Sequence, residues 1–541
     1  MAWRYVPGYF THHLWAQLFS HAPSNYYRPI FLLWLRVNVW LYGLRPWAWH
    51  LTSVLAHLAV TWLVYALARR LFEDRTSALA AMLVFGLHPI HLETVAWISD
   101  IDDSLAAIAV LGALLCYIKW RDGAGKRWLA GGLALYAAGV LTKETAVVLP
   151  AFVVAWEFLF GTERAQQTTL KGIVRRAIAA TLAAWTFIAV TAAYLAVRFA
   201  VLHHLAHIFT PMPLKVLLAT IPEMLAFYAG KLVWPAGLSE FYGLSYVVHP
   251  GWRTFGLPLL ITAAVALALI AWSWRSARVA FASIVLFLPI ALVLDVQVFP
   301  GGDFVHDRYL YLPSAGFAIL VAEAFRHLPL DRISARRAPF ARAAILSVAA
   351  VVLAWGTIGQ STIWANDLLL GTQGVKVAPR NVRAINELAS ILVEKGYYRR
   401  AIRLQKQAIA LRPGAWASHY SLAMACYDLH DYVRARRYIE EAIRISPTDS
   451  REYLLLAAIE FAEHDLPAAE TQVRRAIQLE PSDPGGYEAL GRVFAAEGNY
   501  AGAIREFQIA IEEDPNKRSA RELLKLATAR EQASKPAVKN K

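Results

Sequence analysis

Between residues 48 and 361 the apolar positions come in unbroken runs rather than in the one-sided stripe of a surface helix. Ten such runs lie at 48–68, 77–90, 104–118, 128–142, 145–160, 177–197, 254–273, 279–298, 309–325 and 343–361. Apolar all round, they are predicted to be helices crossing the ~30 Å hydrocarbon core of a bilayer. A weaker segment, 215–234, carries Glu223 and Lys231 inside it, and the pattern predicts a re-entrant or surface-lying helix there. Basic residues collect in every second connection: Arg69, Arg70 and Arg75, then Lys119, Arg121, Lys126 and Arg127, then Arg164, Lys171, Arg175 and Arg176, then Arg275 and Arg278, and last Arg326, Arg332, Arg336, Arg337 and Arg342. Cytoplasmic loops retain Lys and Arg. Segments 1–47, 89–103, the Lys143–Glu144 turn, 198–253, 299–308 and everything after 362 are therefore predicted to face away from the cytoplasm.

After residue 380 the pattern changes to a fixed period. Pro379, Pro413, Pro447, Pro481 and Pro515 stand 34 residues apart, as do Ala401, Ala435, Ala469 and Ala503, Ala408, Ala442, Ala476 and Ala510, and Leu388, Leu422, Leu456 and Leu490. This spacing is the tetratricopeptide (TPR) signature: small residues where paired helices approach, and a proline closing each pair. The predicted architecture is all-α. Residues 1–47 form an extracytoplasmic loop with an amphipathic helix, 48–361 a polytopic membrane domain, 362–380 a linker, 381–514 four TPR repeats, and 515–541 a solvating helix and basic tail.

Composition agrees with this division. The 541 residues are 57% hydrophobic and 17% charged, too apolar for a purely soluble protein. Of the 54 basic and 40 acidic residues, 24 and 22 lie in 381–541, so nearly all of the net +14 belongs to the apolar part. A basic excess there points to membrane-surface loops and not to nucleic acid. Two cysteines, Cys116 and Cys426, are too few for a disulfide framework or a cysteine metal site.

Ionisable residues at membrane depth are costly and so are candidates for function. The predicted outer side gathers Glu93, Asp100, Asp102 and Asp103 in HPIHLETVAWISDIDD, with His88 and His91 ahead of them, Lys143 and Glu144 in LLTKE, His306, Asp307 and Arg308 in HDRYLYLPS, and Arg28 in NYYRPI. Cations beside carboxylates on one membrane face suit a phosphate-bearing substrate. Plainer roles exist for each. Arg28 and Arg308 could anchor helix ends, His88 and His91 could cap or pack, and Asp100 and Asp102 could complement the dipole of a helix starting near Ser104. The Lys143–Glu144 pair, set between two apolar runs, is the least easily explained as structural.

Taken in order, YRPI at 27–30, the run from Asn38 through Gly43 and His50 to His57, HPIHLETVAWIS at 88–99, LLTKE at 140–144, LSEFY at 238–242 and RYLYLPSAGF at 308–317, followed by TPRs, resemble the transmembrane and TPR-repeat-containing membrane glycosyltransferases of the GT-C class, and especially their bacterial relatives. The resemblance implies transfer of a sugar, typically mannose, from a polyprenyl-phosphate carrier to an acceptor hydroxyl on protein outside the cytoplasm. It implies Arg28, Lys143 and Arg308 as ligands of the carrier phosphate and Asp103, Glu144 and Glu93 as the catalytic acids. His88, His91 and Asp307 would support them, and a divalent cation, magnesium or manganese, would sit on Asp103 or Glu144. The TPRs would bind the acceptor or a partner. The setting is a bacterial inner membrane with the TPRs in the periplasm.

Two departures accompany the resemblance. Where the family has an arginine between its acidic positions, this chain reads Asp100, Ile101, Asp102, Asp103. Residues 1–47 contain no Asp or Glu, while the family places a catalytic acid in a first loop after a first helix. The expectation is an additional in-frame apolar helix and an acidic residue upstream of Met1. The competing reading is a non-catalytic membrane-anchored TPR scaffold for envelope assembly. A transporter ranks third, since no inverted repeat is visible.

Overall fold

The computed structural model describes residues 3, 6–14, 24–161, 169–299, 303–330 and 336–534. Among these the structure is helical, with no strand. It divides into two compact units, Met1–Leu370 and Gly371–Lys541.

In the first unit, six helices are long and apolar enough to cross a membrane: Pro46–Phe72, Ile98–Arg121, Trp185–Leu202, Leu214–Val233, Trp252–Ser273 and Ala338–Trp364. A seventh candidate is the bent pair Arg75–Leu87 and Pro89–Ala96. This is a multi-pass membrane protein. Its large apolar side chains confirm the environment, for Val351, Val352, Trp355 and Ile358 lie exposed along Ala338–Trp364, where lipid rather than water must meet them. Local chemistry sets the helix ends. Proline opens Pro29–Tyr42, Pro46–Phe72 and Pro313–Arg326, where its missing N–H costs nothing. Asp74 and Ser276 cap the next helices by accepting from the N–H of Ser77 and Val279.

The count of ten crossings does not emerge directly. Lys126–Val140, Leu149–Phe160, Ala277–Ala291 and Pro313–Arg326 fall at predicted crossings but have only 15, 12, 15 and 14 residues. The run at 177–197 straddles a break at Ala184 between Leu170–Ala183 and Trp185–Leu202. Leu214–Val233, expected to be re-entrant or to lie on the surface, is a continuous helix of spanning length. Lys231 does not interrupt it, because its ammonium reaches past the helix end to the carbonyls of Ala236 and Gly237 at 2.8 and 3.0 Å.

One helical hairpin positions the charged residues. Ile101–Arg121 and Lys126–Val140 are joined by a turn in which Gly123 and Gly125 take positive φ. The two helices pack so closely that a Cβ on Gly139 would stand 2.6 Å from that of Ala109. The returning chain therefore delivers Lys143 and Glu144 to the level of Asp100, Asp102 and Asp103.

In the second unit, helices begin at Val382, Trp416, Ser450 and Pro484, and their partners at Tyr398, Tyr432, Leu466 and Tyr500. The 34-residue period is thus a geometric period. Ala401, Ala435, Ala469 and Ala503 are fully buried between paired helices, and Arg518–Ser534 follows the last pair.

Candidate active site

Six of the predicted site residues, Arg28, Glu93, Asp103, Lys143, Glu144 and Arg308, converge with Asp100 and Asp102 into one network of ion pairs. Arg28 donates from Nε and Nη2 to the two oxygens of Glu144, at 3.0 and 2.5 Å, and from Nη1 to Asp102 at 2.5 Å. Lys143 Nζ lies 2.7 Å from Asp103, 3.2 Å from Asp102 and 3.8 Å from Asp100. Arg308 pairs with Glu93 through its guanidinium, donates its backbone N–H to the same carboxylate at 3.0 Å, and stands 3.7 Å from Asp100. Asp102 and Asp100 therefore bridge the three cations into one chain. Five carboxylates face three cations, an excess that burial makes expensive unless each group is paired, and each is.

The fixed helix ends explain the pairing. Asp102 and Asp103 occupy the first turn of Ile101–Arg121, where the helix dipole favours anions. The helix starts at Ile101 rather than near Ser104, which puts Asp102 inside its first turn, and the same carboxylate is also the bridge between Arg28 and Lys143. Burial alone would push the Glu144 carboxyl up; the bidentate Arg28 overrides it and holds the group at about 2. Burial likewise opposes the charge on Lys143, and Asp102, Asp103 and Asp100 reverse this and keep the ammonium protonated.

Access separates the cations. Lys143 is 6% exposed, whereas the Arg28 and Arg308 side chains are 11% and 15% exposed and Glu144 is 33% exposed. Aromatic rings flank the two arginines: Tyr26 lies 4.5 Å from the Arg28 guanidinium, and Trp97 and Tyr309 lie 5.2 and 5.3 Å from that of Arg308. These aromatics are not among the residues that the sequence singles out. Tyr309 is adjacent to Arg308, Tyr26 is two residues from Arg28, and Trp97 belongs to the HPIHLETVAWIS motif, so their nearness to charge was the available signal.

The supporting residues divide. Asp307 accepts a 2.6 Å hydrogen bond from Tyr242, and burial, reinforced by Glu93, pushes its carboxyl up to about 8. His88 and His91 do not join the network. His88 Nδ1 accepts from the Ile90 N–H, and its Nε2 lies 3.0 Å from the Leu232 carbonyl. His91 sits among Phe85, His57 and Tyr311, with ring centroids 4.5, 5.2 and 4.9 Å away. Capping and packing account for both.

The expectation of a divalent ion on Asp103 or Glu144 meets a specific obstacle. Glu144 is turned to Arg28, and the carboxylates that cluster with Asp103 are Asp100 and Asp102. The Lys143 ammonium lies among those three, so the donor set does not fit a resident divalent ion.

Residues 27–194, which carry most of this network, match the family described as dolichyl-phosphate-mannose-protein mannosyltransferase, and 386–450 and 454–518 match the tetratricopeptide repeat family. The chain thus joins a membrane segment of mannosyltransferase type to TPR repeats. Its homologues are protein O-mannosyl-transferases, in keeping with the motif order. It is 36% identical to human TMTC2 over 26% of the chain and 18% of that protein. Over longer stretches it is 26% identical to F38B6.6 of Caenorhabditis elegans, covering 75% of the chain and 56% of the relative, and 24% identical to mouse TMTC3, covering 78% and 48%. The chain spans about half the length of the curated relatives that it matches most broadly.

Proposed function

We propose that the membrane unit transfers mannose from a polyprenyl-phosphate carrier to a hydroxyl group on protein, on the extracytoplasmic side of a bacterial inner membrane, and that the TPR array binds the acceptor or a partner. The observation that carries this reading is the pair of partly accessible, aromatic-flanked arginines, Arg28 and Arg308, set in a buried ion-pair network within and beside the segment of mannosyltransferase type. In the reaction the bond from mannose C1 to the carrier phosphate oxygen breaks, its electron pair leaves with the phosphate, the acceptor oxygen bonds to C1, and the acceptor hydroxyl's proton passes to the released phosphate. Charge grows on the phosphate as it departs, and fixed guanidinium donors there stabilise the transition state more than the ground state.

The carboxylates divide this work. Glu93 and Glu144 aim the guanidinium groups. A carboxyl held at about 2 is a weak base at neutral pH, so Glu144 acts by positioning Arg28 rather than by accepting a proton.

The test is mannose transfer by the full chain in lipid nanodiscs, from synthetic polyprenyl-phosphate mannose to an acceptor protein. Truncating Arg308 alone would strand Glu93 in a buried site, at a cost of about 3–5 kcal/mol. Arg308→Gln is therefore combined with Glu93→Gln, which leaves the net charge of the site unchanged. Loss of transfer by about 100-fold or more with the helical content unchanged is expected. Unchanged transfer would remove Arg308 from the mechanism. Absence of transfer in the unmodified chain with every donor would favour the scaffold reading, in which the same ion pairs only hold the helices together.

A further inference from the structure

Lys143 is buried; its ammonium donates to Asp102 at 3.2 Å and stands 2.7 and 3.8 Å from the carboxylates of Asp103 and Asp100. We infer that the Lys143 ammonium is the built-in cation of the Asp100–Asp102–Asp103 cluster, occupying the place that a divalent metal would take, so that this cluster holds no divalent ion. The inference is independent of which sugar, if any, the site transfers.

Geometry supplies the first argument. One oxygen from each aspartate lies within 4.8 Å of the other two, a spacing that closes around an ion with the oxygen distances of about 2.0–2.6 Å typical of Mg2+ through Ca2+. Lys143 Nζ reaches all three carboxylates, at 2.7, 3.2 and 3.8 Å. An ammonium and a metal ion cannot share that space.

Charge supplies the second. Asp102 and Asp100 have second partners in Arg28 and Arg308, but Asp103 has Lys143 as its close cation. Removing the lysine therefore leaves three buried carboxylates with a vacant centre and one fewer positive charge. A dipositive ion would restore more charge than was lost. The backbone supports the same assignment: Lys143 is extended between two helices and is carried to the start of Ile101–Arg121 by the close Gly139–Ala109 contact. Its position follows from the packing of the hairpin rather than from a flexible side chain searching for a partner.

Manganese binding to the full chain in nanodiscs tests this directly, read from the loss of the free Mn2+ paramagnetic resonance signal. Lys143→Ala is expected to bind one Mn2+ per chain more than the unmodified protein does, and Asp103→Asn on that background should abolish the gain. The unmodified protein should bind no Mn2+ at the cluster. Mn2+ binding by the unmodified chain that disappears on Asp103→Asn would overturn the inference, because the lysine would then coexist with a metal. A folded Lys143→Ala variant that binds no Mn2+ would overturn it equally, because the cluster would not be a cation site. Should Lys143→Ala fail to fold, the unmodified chain and its Asp103→Asn variant decide the matter by themselves. Because the readout is ion binding, the result stands apart from whether mannose is transferred.

Discussion

Glu452 offers a quantitative test of the repeat unit. It is the third residue of Ser450–Ala462, and the equivalent positions in the other three repeats hold Ala384, Ser418 and Gly486. The structure buries the glutamate completely, and neither carboxylate oxygen has a hydrogen-bond partner among the described residues. Burial, helped by the Asp449 carboxylate and opposed by Arg451, pushes the group up from 4.5 to about 7. Because the folded state holds the proton more tightly than the unfolded state, this group's contribution is fully present below about pH 4.5. It is lost as the pH rises through 7. A rise of 4.5 to about 7 at 1.36 kcal/mol per unit sets an upper limit of about 3 kcal/mol on the loss.

Glu452→Gln keeps the shape and removes the titration. At pH 5 the two proteins should have similar local stability. At pH 8 the variant should be more stable by up to about 3 kcal/mol, a factor of about 100 in the opening equilibrium. Amide hydrogen exchange over 450–479, corrected for the intrinsic rate at each pH, measures that equilibrium in the full chain. Equal protection in variant and parent at both pH values would refute the reasoning, since it would mean that the carboxyl is solvated or paired.

Three further outcomes are expected. Gly316→Ala should lower thermal stability in detergent, by about 1–3 kcal/mol, because the added Cβ would meet the Ala282 carbonyl oxygen at 2.4 Å and the Leu286 nitrogen at 2.6 Å, both backbone atoms that cannot step aside; an unchanged melting temperature would contradict the close packing of Pro313–Arg326 on Ala277–Ala291. The Arg28–Glu144 pair, with its carboxyl depressed from 4.5 to about 2, stabilises fully above pH 4.5 and is lost only as pH falls towards 2, so Glu144→Gln should alter stability by the same amount at pH 5 and pH 8; a difference between those values that tracks Glu144 would show the pairing to be wrong. A reporter active only in the periplasm should be active when fused after residue 541 and silent after residue 170, and the reverse pattern would invert the orientation taken from the basic loops.

The sequence alone determined the features that repeat or extend along the chain. A 34-residue recurrence of Pro, Ala and Leu is a local signal summed over four repeats, and the helices begin at 382, 416, 450 and 484 as that sum requires. Long apolar runs likewise announced a membrane unit, because a bilayer constrains every residue it contacts. Which charges were worth attention could also be read, since Arg28, Glu93, Asp103, Lys143, Glu144 and Arg308 all enter one network.

Their partners could not. The contacts Arg28–Glu144, Arg28–Asp102 and Arg308–Glu93 join residues 116, 74 and 215 positions apart, and no local pattern specifies which helix ends meet. Only tertiary packing showed that Asp102 is a bridge as well as a first-turn carboxylate, that His91 lies among aromatic rings rather than with the carboxylates, and that Lys143 stands where a metal ion was expected. Helix continuity was decided there too. The break at Ala184 interrupts a run that reads as continuous, whereas Leu214–Val233 is unbroken because a side chain such as Lys231 can carry its charge past the helix end while the backbone continues.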